Sequence, residues 1–286
     1  MNKQQIAVLH EEGYIKQKED GYFSVRIVTK AGTLTAQQMI CLSEIADKYG
    51  RGQIGFTTRQ SVEIPWIKEE YISEVKEKIK SAGLITGGTG KKVEPIAACK
   101  GTVCSYGLID TLDLSNRLHE RFFARELPGK FKIGIAGCPN NCVTAPIHDL
   151  GFMAQKLPRV EEDLCKGCTM CKRNCKANAI EMVEKRAKID YEKCVQCGQC
   201  IKVCPFKAMQ TEKEGLAVFI GGKFGRRYRI GDRLETLISI DEAVEITERV
   251  IAFYDKNGLP GERLADVVDR LGIDRVKAAV TVKSYL

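Results

Sequence analysis

The sequence predicts an α+β fold interrupted by a separate cysteine-rich segment, and three observations carry that expectation. Alternating apolar runs and amphipathic stretches follow one another as strand, helix, strand, helix over the first part of the chain. An apolar run from Phe131 to Ala136 delivers two cysteines to a tight turn, Cys138-Pro139-Asn140-Asn141-Cys142. Between positions 158 and 214 the composition changes abruptly and one cysteine spacing occurs twice.

The elements follow in order. Residues 1–20 are polar and weakly helical, with no chemistry assigned. From Tyr22 to Thr29, Phe23, Val25 and Ile27 alternate with Ser24, Arg26 and Val28, a period-two strand. Thr35 can cap a helix with an apolar face of Met39, Ile40, Leu42, Ile45 and Ala46, ended by Gly50. Ile54 to Ile64 reads as a bent strand stopped at Pro65, and a second helix carries Tyr71, Ile72, Val75 and Ile79 before Gly83. Gly83 to Gly90 is a glycine-rich loop. A long helical stretch then runs from Cys104 to about Glu126, broken by Pro128 and Gly129, and strands are expected at Phe131–Ala136, near Leu150–Ala154 and at Leu216–Ile220. Helices over about 241–256 and 262–271 close the chain.

At 286 residues and 44% hydrophobic content the chain can bury a real core in one or two domains. Its 45 basic and 37 acidic residues leave a formal charge of +8, which suits nucleic acid or small anions. No recognition motif accompanies the charge, so a solvated mixed-charge surface explains most of it and nucleic-acid binding is not expected. The 13 cysteines raise the possibility of a secreted disulfide scaffold. Yet Met1-Asn2-Lys3-Gln4-Gln5 opens no signal pattern and no apolar run approaches membrane-spanning length. The expectation is therefore reduced, metal-bound thiolates in the cytoplasm, with no membrane insertion.

Twelve of the 13 cysteines fall into cluster spacings, leaving Cys41 on a helix face as a core filler. Cys99 and Cys104 form a second pair upstream of Cys138 and Cys142, so four thiolates can converge from two loops, as a cubane iron-sulfur cluster requires. The spacing Cys165-x2-Cys168-x2-Cys171-x3-Cys175 recurs as Cys194-x2-Cys197-x2-Cys200-x3-Cys204-Pro205, the pattern of a bacterial two-cluster ferredoxin. In that pattern the fourth cysteine of each run serves the other cluster. Cys165, Cys168, Cys171 and Cys204 then hold one 4Fe-4S centre, and Cys194, Cys197, Cys200 and Cys175 the second. Lys176 stands where a proline usually follows the first run. Zinc is the competing occupant of paired Cys-x2-Cys motifs, disfavoured by the tandem spacing.

The Cys-Pro-Asn-Asn-Cys turn, the preceding Lys130-Phe131-Lys132 and the earlier Phe56-Thr57-Thr58-Arg59-Gln60 resemble the siroheme-dependent sulfite and nitrite reductase family over most of residues 20 to 230. The size and the inserted segment most resemble the anaerobic sulfite reductase C subunit and the small dissimilatory-type reductases. One spacing departs from the family: four residues, not five, separate Cys99 from Cys104. The resemblance implies a ferredoxin-like half-domain over 1–85, a siroheme- and 4Fe-4S-binding domain over 86–157 and 215–286, and an inserted ferredoxin domain over 158–214. It implies siroheme against the cluster of Cys99, Cys104, Cys138 and Cys142, with Cys142 as the shared thiolate and three 4Fe-4S clusters per chain.

Siroheme carries many carboxylates, and burying them without partners is costly. By motif, Thr57, Arg59 and Asn140 are expected at the cofactor; by composition, Lys223, Arg226 and Arg227 in the Gly221–Arg227 loop are expected to pair with its carboxylates. The glycines there let the backbone approach something closely. Arg26, Lys130 and Lys132 match the family's substrate cations, and alternate positions on one strand point to one face. The implied activity is six-electron reduction of sulfite to sulfide, with electrons passed through the inserted clusters. Nitrite reduction with the same cofactors and a non-catalytic electron-transfer subunit are the alternatives, and a zinc-stabilised binding module is a third class. Gly83 to Gly90 lacks a nucleotide-binding fingerprint, so a ferredoxin or a flavin- or NADH-dependent subunit is the expected donor. With a single copy of the repeat, the chain is expected to form a homodimer in which Arg26, Lys130 and Lys132 of one protomer face the siroheme held by Cys142 of its partner.

Overall fold

A computed structural model describes residues 1–280. The opening polar stretch holds α1 (Lys3–Glu11), whose N-terminus is closed by a reciprocal Asn2–Gln5 capping box, and also a short strand, β1 (Tyr14–Lys16). Polar neighbours conceal that strand in the sequence, yet Tyr14 is fully buried. β2 (Tyr22–Val28) turns Phe23, Val25 and Ile27 into the core, as the alternation predicts.

Thr35 and Gln38 form a capping box at the start of α2 (Ala36–Tyr49), which ends at Gly50. Leu42, Ile45, Ala46 and Tyr49 form its buried stripe. Met39 and Ile40, expected on that stripe, are 36% and 51% exposed: Ile40 lies off it and Met39 sits at its leading end. β3 (Gly55–Phe56) and β4 (Val62–Lys68) follow. Pro65 does not stop the strand; β4 runs through it because the register with β2 slips between Phe23 and Val25, and Trp66 takes a φ of 67°. A proline, having no N–H to donate, is tolerated at such a bulge. α3 (Ile72–Ser81) buries Ile72, Val75 and Ile79 against the sheet. The glycine-rich loop contains β5 (Ile85–Thr86), which joins β2. The sheet order is β1-β2-β4-β3, with β5 also on β2.

The second sheet begins with β6 (Ala97–Ala98). α4 (Thr111–Phe122) starts several residues after Cys104, not at it, because Asp110 is the cap: its carboxylate accepts the N–H groups of Leu112 and Asp113. β7 (Ile133–Ala136) and β8 (Leu150–Val160) run parallel to β6. After β8 comes the cysteine-rich segment: α5 (Met170–Asn174), the hairpin β9 (Ile180–Val183) and β10 (Arg186–Ile189), and α6 (Gln199–Lys202). β11 (Met209–Ile220) then returns antiparallel to β8, pairing from Leu150↔Ile220 to Val160↔Met209, so positions 158 and 214 both lie inside strands. β12 (Asp232–Arg233) completes the order β12-β11-β8-β7-β6.

α7 (Ile240–Asn257), α8 (Leu264–Leu271) and α9 (Ile273–Val280) cover this sheet; α9 lies beyond the helices that the sequence pattern marks. Phe131, Ile133, Ile135, Phe152, Val218 and Tyr254 centre its core, with Leu114, Leu118 and Phe122 from α4. The cysteine-rich segment has a small core of its own around Cys171, Ile180, Ile189, Cys200 and Met209. Among the described residues no helix is long and apolar enough to cross a membrane.

Candidate cysteine centres and anion site

Two parallel strands that end side by side bring the first cysteines together. Ala98 of β6 pairs with Ile135 of β7, so Cys99 and Cys138 leave the sheet at the same edge. Cys99 is held on several sides: its N–H donates to Ile135 O (3.0 Å), its carbonyl accepts Thr111 Oγ1 (2.7 Å), and its sulfur accepts the Gly137 N–H (3.1 Å). Gly101 and Gly137 close the gap between the two loops; a Cβ on Gly137 would stand 2.9 Å from Gly101 Cα, and one on Gly101 2.6 Å from Thr111 Cγ2. Burial pushes the Cys138 thiol up, and Cys99, Cys104 and Cys142 beside it add to the shift. Cys104 and Cys142 are exposed, Cys138 buried.

Two further sets of four thiols lie in the cysteine-rich segment. Cys165, Cys168, Cys171 and Cys204 line one cavity with Val160, Met182 and Met209. Cys175, Cys194, Cys197 and Cys200 line another with Ile180 and Ile189. The fourth cysteine of each run therefore lines the other run's cavity. Burial, with Cys194, Cys197 and Cys171 nearby, pushes the Cys200 thiol up to about 12, and the Ala179 N–H donates to Cys175 Sγ (3.3 Å). Among the described residues no three His, Cys, Asp or Glu side chains converge closely enough for a single metal ion. Thiols spread round an apolar cavity, with backbone N–H groups aimed at sulfur, form a donor set that fits a thiolate-held cluster.

The segment docks on the body beside the first thiol set. Tyr106, Cys138, Asn140, Lys176, Val195 and Cys197 line one cleft, so cysteines of two sets border the same space. Lys176, which replaces a proline, lies 5.6 Å from the Tyr106 ring centroid. Lys202 Nζ donates to Ser105 O (3.3 Å), and the Lys156 N–H to Gln196 O (2.7 Å).

The cations gather elsewhere. Lys132 precedes β7 and Cys138 follows it, so lysine pair and cysteine turn stand at opposite ends of one strand. Around the lysine end sit Arg59, Glu94, Lys130, Lys132, His148, Asp149 and Arg263. Glu94 is fully buried, pairs closely with Arg59, and lies 3.9 Å from Lys130 Nζ. Asp149, also fully buried, accepts Arg263 Nε and Nη2 (3.2 and 2.5 Å) and the Lys132 N–H (2.9 Å). Burial lowers the pKa of Lys132, with Glu94 opposing and Arg59 and Arg263 reinforcing the shift. Burial also takes His148 down to about 4, leaving its ring neutral over Gly134, where a Cβ would lie 2.7 Å from Nδ1.

The remaining predicted residues are scattered. Arg26 pairs with Glu63 (2.6 Å) and donates to Gly88 O (3.1 Å). Thr57 Oγ1 shapes its turn by accepting the N–H groups of Arg59 (3.3 Å) and Ser61 (3.1 Å). Lys223 Nζ is held by both oxygens of Asp266 (2.8 Å each), while Arg226 and Arg227 are exposed. The Gly221–Gly222 backbone does approach something closely: a Cβ on Gly222 would come 2.3 Å from Pro146 O. Glu94, Asp149 and Arg263 escaped the sequence reading. A lone carboxylate within the apolar run Val93 to Ala98 is the signal that could have found Glu94.

Two family descriptions match this chain: the nitrite and sulphite reductase 4Fe-4S domain over residues 89–285 and the nitrite/sulfite reductase ferredoxin-like half domain over 15–82. It is 36% identical over 264 residues to the coenzyme F420-dependent sulfite reductase of Methanocaldococcus jannaschii, covering 91% of this chain and 42% of that protein. It is 32% identical over 185 residues to the anaerobic sulfite reductase C subunit of Salmonella typhimurium, covering 58% of this chain and 52% of the other. The chain thus spans about half the length of these two relatives. Its fold is similar to the crystal structure of dissimilatory sulfite reductase I, with a TM-score of 0.74 and 19% identity, over 92% of this chain and 70% of that one.

Proposed function

The chain belongs to the nitrite and sulphite reductase family, and from that membership we propose that it reduces sulfite to sulfide at siroheme coupled to a 4Fe-4S cluster. The observation that carries the reading is the gathering of Cys99, Cys104, Cys138 and Cys142, with a second four-thiol set sharing a cleft beside it. When bound, siroheme supplies an iron that takes an oxyanion and electrons one at a time. Cys142, the last cysteine of the second pair, would be the residue that holds that group, as the family resemblance implies. Lys130 and Lys132 bind and orient the oxyanion; Arg59, expected from its motif at the cofactor, joins them here because Glu94 holds it beside Lys130, whereas Arg26, expected among these cations, is paired with Glu63. Lys132, its pKa lowered by burial, gives up an Nζ proton more readily than a solvated lysine as oxygen leaves as water.

Residues 158–214 act as a two-cluster ferredoxin domain inserted between the two portions, 86–157 and 215–286, of the siroheme- and 4Fe-4S-binding domain. Cys175, Cys194, Cys197 and Cys200 hold the centre nearer the body, since Cys197 borders the cleft with Cys138; Cys165, Cys168, Cys171 and Cys204 hold the outer one. An external ferredoxin or a flavin-dependent subunit delivers electrons to the outer centre. The separation of lysine pair and cysteine turn by the length of β7 supports a homodimer in which each protomer's cations complete its partner's cofactor site. Anaerobic purification from a siroheme-making host, pigment extraction, and reduction rates with sulfite and nitrite test the reading. Full iron and sulfide with no extractable isobacteriochlorin overturns it; a preference for nitrite reassigns the substrate.

A further inference from the structure

Glu94 is the feature of the cation cluster that the proposed reaction does not explain. Its side chain is fully buried, and neither carboxylate oxygen has a hydrogen-bond partner. Arg59 Nη1, which it faces, is also buried and not hydrogen-bonded. Buried polar groups are almost always hydrogen-bonded, and a buried carboxylate held by charge alone is costly to keep. Backbone geometry fixes it there: the Glu94 N–H donates to Phe131 O (2.8 Å), between the two lysines, and Val93 bridges to Phe131. One carboxylate is thereby placed against Arg59 and Lys130, two of the groups assigned to the oxyanion, while the nearby Asp149 is already occupied by Arg263 and the Lys132 N–H.

We propose that Glu94 is a specificity-determining, positioning residue: an internal anion that holds Arg59 and Lys130 in place and competes with the substrate oxyanion for them. This rests on the assignment of Lys130 to the anion site. The two contacts are unequal. The Arg59 pair is close and keeps the guanidinium oriented; the Lys130 contact, at 3.9 Å and with the lysine side chain 45% exposed, is the one an incoming oxyanion displaces. An anion therefore binds more weakly than the positive field alone would allow, which eases release of charged product, and the cations stay aligned between turnovers.

The test is equilibrium dialysis of radiolabelled sulfite against the oxidised holoprotein, with no electron donor present. Glu94→Gln is expected to bind sulfite roughly fivefold more tightly, the range of a partly exposed ion pair, and to lower turnover at saturating substrate because Arg59 loses its orienting partner. Lys130→Met is expected to weaken binding, and the gain from Glu94→Gln is expected to vanish in the double variant. If Lys130→Met weakens binding while Glu94→Gln leaves it unchanged or weakens it, the role of Glu94 is overturned and the anion site stands. If Lys130→Met has no effect, the anion site itself is wrong. Should Glu94→Gln lose its cofactors, Glu94→Asp keeps the charge but withdraws it by one methylene; a smaller tightening is expected, and an unchanged dissociation constant overturns the inference.

Discussion

The Gln60 side chain pairs with the backbone of Ala98 as a neighbouring strand would, its Nε2 donating to the carbonyl (2.7 Å) and its Oε1 accepting the N–H (2.9 Å). This closes the open edge of β6 immediately before Cys99 and ties the half-domain to the first thiol set. Gln60→Ala leaves both backbone groups without partners, so a loss of about 1–3 kcal/mol is expected in urea unfolding. Hydrogen exchange at the Ala98 amide should accelerate, and an unchanged rate would remove the clamp from the account.

Asp149 joins three parts of the fold. Its carboxylate takes the Arg263 fork at the start of α8 and the N–H of Lys132 before β7. Asp149→Asn keeps the shape but leaves a buried guanidinium unpaired, and a loss of about 3–5 kcal/mol is expected. Thermal unfolding measures it. Lys223→Met should cost far less, since its partner Asp266 is nearly half exposed.

His148 gives stability a definite pH slope. Burial depresses its pKa from 6.5 to about 4, so between those values the unfolded imidazole binds a proton that the folded one refuses. Its contribution is complete above pH 6.5 and is lost as pH falls toward 4, on the order of 3 kcal/mol in all. Denaturant midpoints from pH 7 to pH 4.5 should fall more steeply in the parent than in His148→Gln.

The crossed cavities make a prediction about clusters. Cys175 lies with Cys194, Cys197 and Cys200 although it belongs in sequence to the first run. Cys175→Ser should therefore disturb the spectroscopic signature of the centre also lost in Cys194→Ser, and leave that of Cys165→Ser intact. Electron paramagnetic resonance of the three reduced variants decides between crossed and uncrossed ligation.

Complementation tests the shared site. Cys142→Ser and Lys130→Met protomers, each expected to be inactive as homodimers, should regain activity in a fraction of mixed dimers. A mixture that stays inactive after verified protomer exchange would place cations and cysteines of one chain at the same site.

What could be read beforehand was whatever short-range pattern carries. Period-two alternation located β2, capping residues Thr35 and Gly50 bounded α2, and the two cysteine runs marked the segment whose thiols line two cavities. Pro65 misled because a proline signals an end unless a bulge accommodates it, and a bulge depends on the partner strand. The polar run around Tyr14 hid β1 for a similar reason: only its place beside β2 makes it a strand. Glu94 shows in the sequence only as a carboxylate within an apolar run, and the roles of Gln60, Asp149 and Arg263 were illegible because each matters through a contact far along the chain: Gln60 with Ala98, Arg263 with Asp149.

The pairing of Val160 with Met209 puts the entrance and exit of the cysteine-rich segment on neighbouring strands. The segment is thus a cassette mounted on the tip of a hairpin. A short turn joining those two residues would leave every strand of the sheet its partner, and the excised body would forfeit the seam at Ser105, Tyr106, Lys156 and the Cys138–Asn140 turn. Cysteine-rich segment and supporting body are in this way built as detachable parts, so that the length of one can change without breaking the strand pairing of the other.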